Sequence, residues 1–514
     1  MQVGIYNRWL ATLGGGEKHS LAVAEYLSAG HSVEVITHKP VPKSLVENRL
    51  SVDMSRVEFV TIPDRAAIDI SLITSQYDLF INASYNDFFP SFARHSACLI
   101  YFPAKLDRRR AWGRQLKLLM RKWLKLPAVM VGIPGFHVEG SIFKWSTDTV
   151  CKIRLPYHTS PYQFKFALRA ADENVRGADV HLDQARVASL VFSAPHQQVP
   201  CQISIPAGAD QSYRELTLTV HGDLSPDGNP KMELSDLWLS LPHYRLYQEL
   251  FERRLFGIAV RLQHYPPGVS ILDYADTYSA IWANSEYTRK WIKYYWQRNS
   301  QVLYPLVPLE DFRVESKRPQ ILNVGRFFAG QHNKKHLVLV EAFKQMVDEG
   351  LGGWELHLVG GTTPGEEHVG YLKAICQAAE GYPIHIHTDI PFQELVQLYA
   401  QSAIYWHASG YAEDERLDPD KFEHFGITTV EAMASGCVPV VIGKGGQPEI
   451  VRHGINGYLW QTLEELRAIT RQIIDDPALR EWVSTAALTD SQNYDKAHFN
   501  LRVQQLLRQI GVYA

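Results

Sequence analysis

QVGIYNRWLATLGGGEKHSLAVAEYLSAG, residues 2–30, passes from a short apolar run through a glycine-rich turn into a segment of helical periodicity. The same succession continues with SVEVITH (32–38), VEFVTIP (57–63), YDLFINAS (77–84) and ACLIYFP (97–103). Strands separated by helices predict a parallel sheet covered on both faces. The pattern returns late in the chain at QILNVGRF (320–327), WELHLVGG (354–361), IHIHTDI (384–390), AIYWHAS (403–409) and CVPVVIG (437–443), with helical stretches such as HLVLVEAFKQMV and FQELVQLYAQ between them. Two doubly wound α/β units follow from this repetition.

Between them the pattern changes. KFALRA, ASLVFSA, CQISIPA, RELTLTVHG and DLWLSL are short alternating runs divided by turn signals such as SPDGNP. That spacing predicts an antiparallel β-sandwich over 135–241. Strand and helix patterns resume at SAIWANSEYTRKWIKYYW (279–296) and QVLYPLV (301–307), so the sandwich reads as an insertion in the first α/β domain. The expected domains are 1–134 with 242–308, the insertion 135–241, a second α/β domain 309–495, and a C-terminal helix 496–514 that could pack back on the first. YPLVPLEDF reads as the hinge.

At 514 residues the chain is too long for one core. A formal net charge of −3 argues against general nucleic-acid binding, which usually rests on a basic excess. No stretch reaches the roughly 18–20 uninterrupted apolar residues of a membrane span, and no N-terminal run has the form of a signal peptide. A cytoplasmic protein is expected. Its five cysteines lack metal-ligand spacing.

Open α/β sheets bind ligands beyond the carboxyl ends of their strands. Gly14, Gly15 and Gly16 after the first strand allow backbone amides to approach an anion at a helix N-terminus. GRFFAGQHNKKH places Arg326 at a strand end and Lys334 and Lys335 before a helix, which offers a fork and a point charge for a diphosphate; Lys335 reads better as surface charge. In KFEHFGITTVEAMASG (421–436), Glu423 and Glu431 would lie about 80° apart if the stretch were one helix, so Glu423 is expected on a loop and Glu431 inside a helix. Thr428-Thr429-Val430-Glu431 also has the form of a capping box, in which Glu431 would be structural. Glu431 cannot serve the cap and a ligand fully at once.

In combination, EHFGITTVE, GGQPEIVRHGINGYLW, GRF with Lys334 before HLVLVEAF, GGGEKH and NSEYTRKWI resemble the retaining glycosyltransferases of family 4, which have the GT-B fold. The resemblance spans most of both α/β domains and leaves out the β-rich insertion. It implies that Arg326 and Lys334 bind the diphosphate of a nucleotide-sugar donor, that Glu431 holds its ribose, and that Glu423 meets the donor sugar. Backbone at Phe425, Gly426, Ile427 and Thr428 would contact sugar and phosphate, with Gly15 and Gly16 closing the phosphate site. The implied reaction moves a hexose from GDP-mannose or a UDP-hexose to a glycan or lipid-linked acceptor. It uses no cofactor and needs no metal, because cations and a helix terminus take the leaving charge. Members of the family commonly carry a histidine where Tyr101 stands; His264 is a possible substitute. The rival readings are a GT-B nucleotide-sugar epimerase, which the two glutamates disfavour, and a catalytically silent glycan- or nucleotide-binding protein.

Three further features have two readings each. The basic amphipathic segment 105–127 fits an anionic membrane surface or a helix packed on its domain. Asp418 and Asp420 resemble a metal-binding DxD pair or an ordinary loop. Trp145 and Trp238 of the insertion are sugar platforms or core residues.

Overall fold

The computed structural model describes residues 1–62, 73–105 apart from 90 and 92, strand segments at 130–131, 136–139 and 142–145, most of 150–240, residue 275, and 277–513 apart from 331. The segment 106–127 and His264 lie outside these residues, as do the side chains of Trp145 and Trp238.

The first sheet has seven parallel strands in the order Gln301–Val302, Ala280–Ala283, His95–Ile100, Leu79–Asn82, Gln2–Tyr6, Ser32–Thr37 and Val57–Thr61. Its strands bury both faces. Val3, Ile5, Val33, Val35, Leu79 and Ile81 belong to one cluster, and Tyr6, Ile36, Phe80, Cys98 and Ile100 to another. Period-two alternation with both faces apolar is the reason these runs form inner parallel strands.

The second sheet is also parallel, in the order Ile384–Thr388, Glu355–Gly360, Arg318–Val324, Ser402–His407, Val438–Ile442 and Tyr458–Trp460. Both sheets reverse their winding beside their first strand. In the second sheet the strands on either side of this switch point end at Val324 and His407, so the loops after them open into the crevice where such sheets bind ligands.

Two five-stranded sheets, antiparallel throughout, lie in sequence between His95–Ile100 and Ala280–Ala283. Phe164, Phe166, Leu168 and Leu234 from one, and Ile153, Val180, Leu216 and Leu218 from the other, share a buried cluster. The chain returns from them to pair Ala280 with Ala97.

The proline-rich crossing at 304–312 is packed on both sides. Leu303 and Leu306 join the first domain's core, whereas Val307 and Phe312 join the second's. The helix Lys496–Gln509 returns to the first domain, burying Phe499, Val503, Leu506 and Leu507 in its core and pairing Lys496 Nζ with Glu25 at 2.7 Å.

Candidate active site

The glutamate pair divides between loop and helix. Glu423 precedes the helix Ile427–Ala434, and Glu431 lies inside it. The capping box does not form. The helix is capped by Gly426, whose φ of 120° favours glycine and whose added Cβ would lie 2.7 Å from Gln447 Nε2. With the start set there, Thr428 is already in the first turn. Its hydroxyl accepts from Tyr405 at 2.7 Å, and Glu431 Oε2 accepts from the Tyr399 hydroxyl at 2.9 Å. Among the described residues the N–H groups of Ile427 and Thr428 have no backbone acceptor, as expected for a first turn.

Glu423 is the centre of a charged cluster. Its Oε2 lies 2.5 Å from Lys334 Nζ and 3.0 Å from His407 Nε2. His407 ends the strand Ser402–His407, and its ring is fully buried. Burial opposes ionisation of Glu423, but the Lys334 ammonium and the His407 ring hold its carboxyl well below the usual range. Burial pushes His407 down despite Glu423. Arg326, two residues after the strand Arg318–Val324, is exposed, its guanidinium 5.8 Å from the Phe328 ring centre, with no ion pair among the described residues. Lys335 instead is half-buried and pairs with Glu413 at 2.7 Å and not with Glu423.

The first domain supplies the facing wall. A Cβ on Gly15 would lie 2.9 Å from Ile427 Cδ1, so the glycine turn touches the start of the second domain's helix. Gly16 O accepts from the Tyr101 hydroxyl at 2.6 Å. Tyr101 therefore anchors the turn, and burial raises its hydroxyl far above the ordinary value. Lys18, three residues after Gly15, faces Glu431 across the cleft: burial lowers the Lys18 ammonium, while Glu431, Asp311 and Glu310 hold it up. Burial raises the Glu431 carboxyl, and Lys18 and Tyr399 draw it back.

Gly15, Gly16, Lys334, Glu423, Phe425, Gly426, Ile427, Thr428 and Glu431 thus gather around one cleft. The sequence reading missed Lys18, His407, Tyr399 and Tyr405. Lys18 stood inside the quoted GGGEKH motif and was the one within reach. His424, between Glu423 and Phe425, is a cross-domain contact: its ring stacks on Phe102 at 4.4 Å. Asp418 pairs with Lys421 at 3.2 Å, and neither Asp418 nor Asp420 belongs to a metal-type cluster among the described residues.

Residues 309–489 match the family described as glycosyl transferases group 1. A stretch of 103 residues is 30% identical to sucrose synthase 1 of Tulipa gesneriana, covering 19% of this chain and 12% of that protein. A stretch of 181 residues is 25% identical to the GDP-Man:Man(3)GlcNAc(2)-PP-Dol alpha-1,2-mannosyltransferase of Xenopus laevis, covering 32% of this chain and 34% of that one. The matched stretches thus span about a third or less of these relatives' lengths. Among solved structures, Anabaena Alr3699/HepE in complex with UDP and glucose is 15% identical with a TM-score of 0.51, over 99% of both chains. Sucrose-phosphate synthase from Thermosynechococcus elongatus is 14% identical with a TM-score of 0.50, also over 99% of both chains. These likenesses give the fold: two Rossmann-like domains in the GT-B arrangement.

Proposed function

We propose, on the premise of a group 1 glycosyl transferase domain at 309–489 in a GT-B fold, that this protein transfers a hexose from a nucleoside diphosphate sugar to a glycan or lipid-linked acceptor with retention of configuration. The carrying observation is the convergence of Glu423, Lys334 and His407 at the second sheet's switch point, under the free first-turn amides of Ile427 and Thr428.

A leaving diphosphate needs its growing charge neutralised. In this reading Lys334, at the Glu423 cluster, and the N–H donors of the helix terminus take that charge, with Arg326 as a further cation, and a preorganised donor of this kind contributes roughly 10²–10³ in rate. No metal is required in this scheme. Glu431, with Oε2 already held by Tyr399, accepts ribose hydroxyls through Oε1. Glu423, ionised against Lys334, accepts from donor sugar hydroxyls and orients the ring. Tyr101 supports the Gly16 backbone at the phosphate end instead of acting on the sugar.

The test is a thermal-shift panel with UDP, GDP and ADP on wild type and Glu431→Ala. A ligand at about 100 times its dissociation constant adds roughly 2.7 kcal/mol. One nucleotide is expected to stabilise wild type and not the variant. Equal shifts in both would remove Glu431 from the donor site, and absence of nucleoside diphosphate release with donor and acceptor mixtures would overturn transfer itself.

A further inference from the structure

Away from the cleft, four side chains meet on the outer two strands of the second sheet. Glu355 and His357 stand two apart on Glu355–Gly360, His385 and His387 two apart on the edge strand Ile384–Thr388, and His357 is paired in register with His385. Alternation along parallel strands in this register places all four on one face. Glu355 Oε2 lies 3.1 Å from His357 Nε2, and Glu355 Oε1 lies 3.7 Å from His385 Nε2. The ligand atoms of these three residues all fall within 4.8 Å of one another.

Two donors each 2.0–2.1 Å from a tetrahedral ion stand about 3.3 Å apart. The two Glu355 separations, one on each carboxylate oxygen, lie on either side of that value, and with all three donors within 4.8 Å a side-chain adjustment brings them onto one ion. A hydrogen-bond network alone accounts for part of the cluster, since His357 Nδ1 and His387 Nε2 are 3.0 Å apart. It does not account for His385, because 3.7 Å is too long for a hydrogen bond and suits an ion between the groups. The supporting shell is also in place: Gln320 Nε2 reaches Glu355 Oε2 at 3.3 Å, and His387 holds the far nitrogen of His357.

We propose that Glu355, His357 and His385 bind a divalent transition-metal ion of the zinc class at the free edge of the second sheet, with Gln320 and His387 as positioning residues. Glu355 opens its strand and His385 is the second residue of its own, whereas the donor cleft lies past the carboxyl ends. The ion is therefore a staple between an edge strand and its neighbour, remote from glycosyl transfer, with a coordination position left to water.

The full chain, stripped with a chelator, is titrated with Zn²⁺ in competition with a chromogenic chelator. One equivalent is expected to bind. His385→Ala, at an exposed position, lowers affinity at least ~100-fold, and His387→Ala ~10-fold. Co²⁺ in place of Zn²⁺ gives the visible absorption of a four- or five-coordinate site, and His385→Ala abolishes it. Cys376→Ser, which removes the exposed cysteine, leaves uptake intact. Failure of wild type to take up one equivalent, uptake unchanged by His385→Ala, or uptake lost with Cys376→Ser overturns the proposal.

Discussion

Glu423 shows how one carboxylate can be kept charged in a mostly buried place. Burial alone would raise it; a lysine at 2.5 Å and an imidazole at 3.0 Å reverse the balance. Lys334→Ala should therefore act twice, removing a diphosphate cation and freeing Glu423 to take up a proton. Turnover is expected to fall by roughly 10²–10³, with the loss in kcat steeper toward acid than for wild type. A uniform, pH-independent loss would show that Lys334 acts on the diphosphate alone. Tyr101 makes a different point. Its hydroxyl serves Gly16 O, which also stands in the helix ladder, and Tyr101→Phe removes that one bond at a net cost of about 0.5–1.5 kcal/mol. The effect should appear as weaker nucleotide binding with kcat nearly kept, in steady-state kinetics; a loss confined to kcat would return Tyr101 to the chemistry. Glu423 and Lys334 stood out in the sequence through the motifs that carry the family resemblance. The sequence hid His407, which reaches Glu423 only because the switch point brings a strand end beside a loop sixteen residues later.

The helix Ile427–Ala434 marks where local sequence rules gave way to tertiary packing. A Thr-x-x-Glu box was available at 428–431, yet the chain starts the helix at Gly426, because Tyr405 and Tyr399 claim the threonine and glutamate side chains. Strand positions were legible to within a few residues because both faces are apolar. The run at 301–307 was an exception: only Gln301–Val302 pair, since Leu303 and Leu306 turn into the core. The three-residue strand Tyr458–Trp460 is too short to announce itself by alternation. The contact between the glycine turn and this helix gives a direct test. Gly15→Ala puts a methyl 2.9 Å from Ile427 Cδ1, an overpacking worth about 1–3 kcal/mol, and should weaken nucleotide binding without unfolding the first domain. Ile427→Val removes the opposing atom and should restore much of the affinity. A double-mutant cycle in calorimetry with no coupling between the two would show that the contact is irrelevant to binding.

The two domains are joined by contacts that close the cleft. Tyr287 Oη donates to Pro419 O at 2.9 Å, Lys290 pairs with Glu415 at 2.8 Å, and Glu449 accepts from the N–H groups of Glu286 and Tyr287 at 2.7 and 2.5 Å. Glu449 belongs to the second domain and caps the first domain's helix Glu286–Trp296, where a carboxylate is favoured by the helix dipole. Burial nevertheless pushes its carboxyl up to about 7, more than those two N–H donors and Tyr304 draw it down. A folded value above the ordinary 4.5 means that the folded protein holds more protons than the unfolded chain between about pH 4.5 and 7. The stability from this site is fully present below about pH 4.5 and is lost as pH rises through 7, amounting to a few kcal/mol at most. Wild type should therefore show a thermal midpoint that falls across this window. Glu449→Gln, which cannot titrate and donates where the carboxylate accepts, should start lower and flatten that slope. It should also weaken nucleotide binding if the proposed donor site needs the two domains held together, since the glycine turn and the helix Ile427–Ala434 come from different domains. Parallel pH slopes in wild type and Glu449→Gln would show that the clasp does not titrate, and unchanged nucleotide affinity would show that closure does not depend on it.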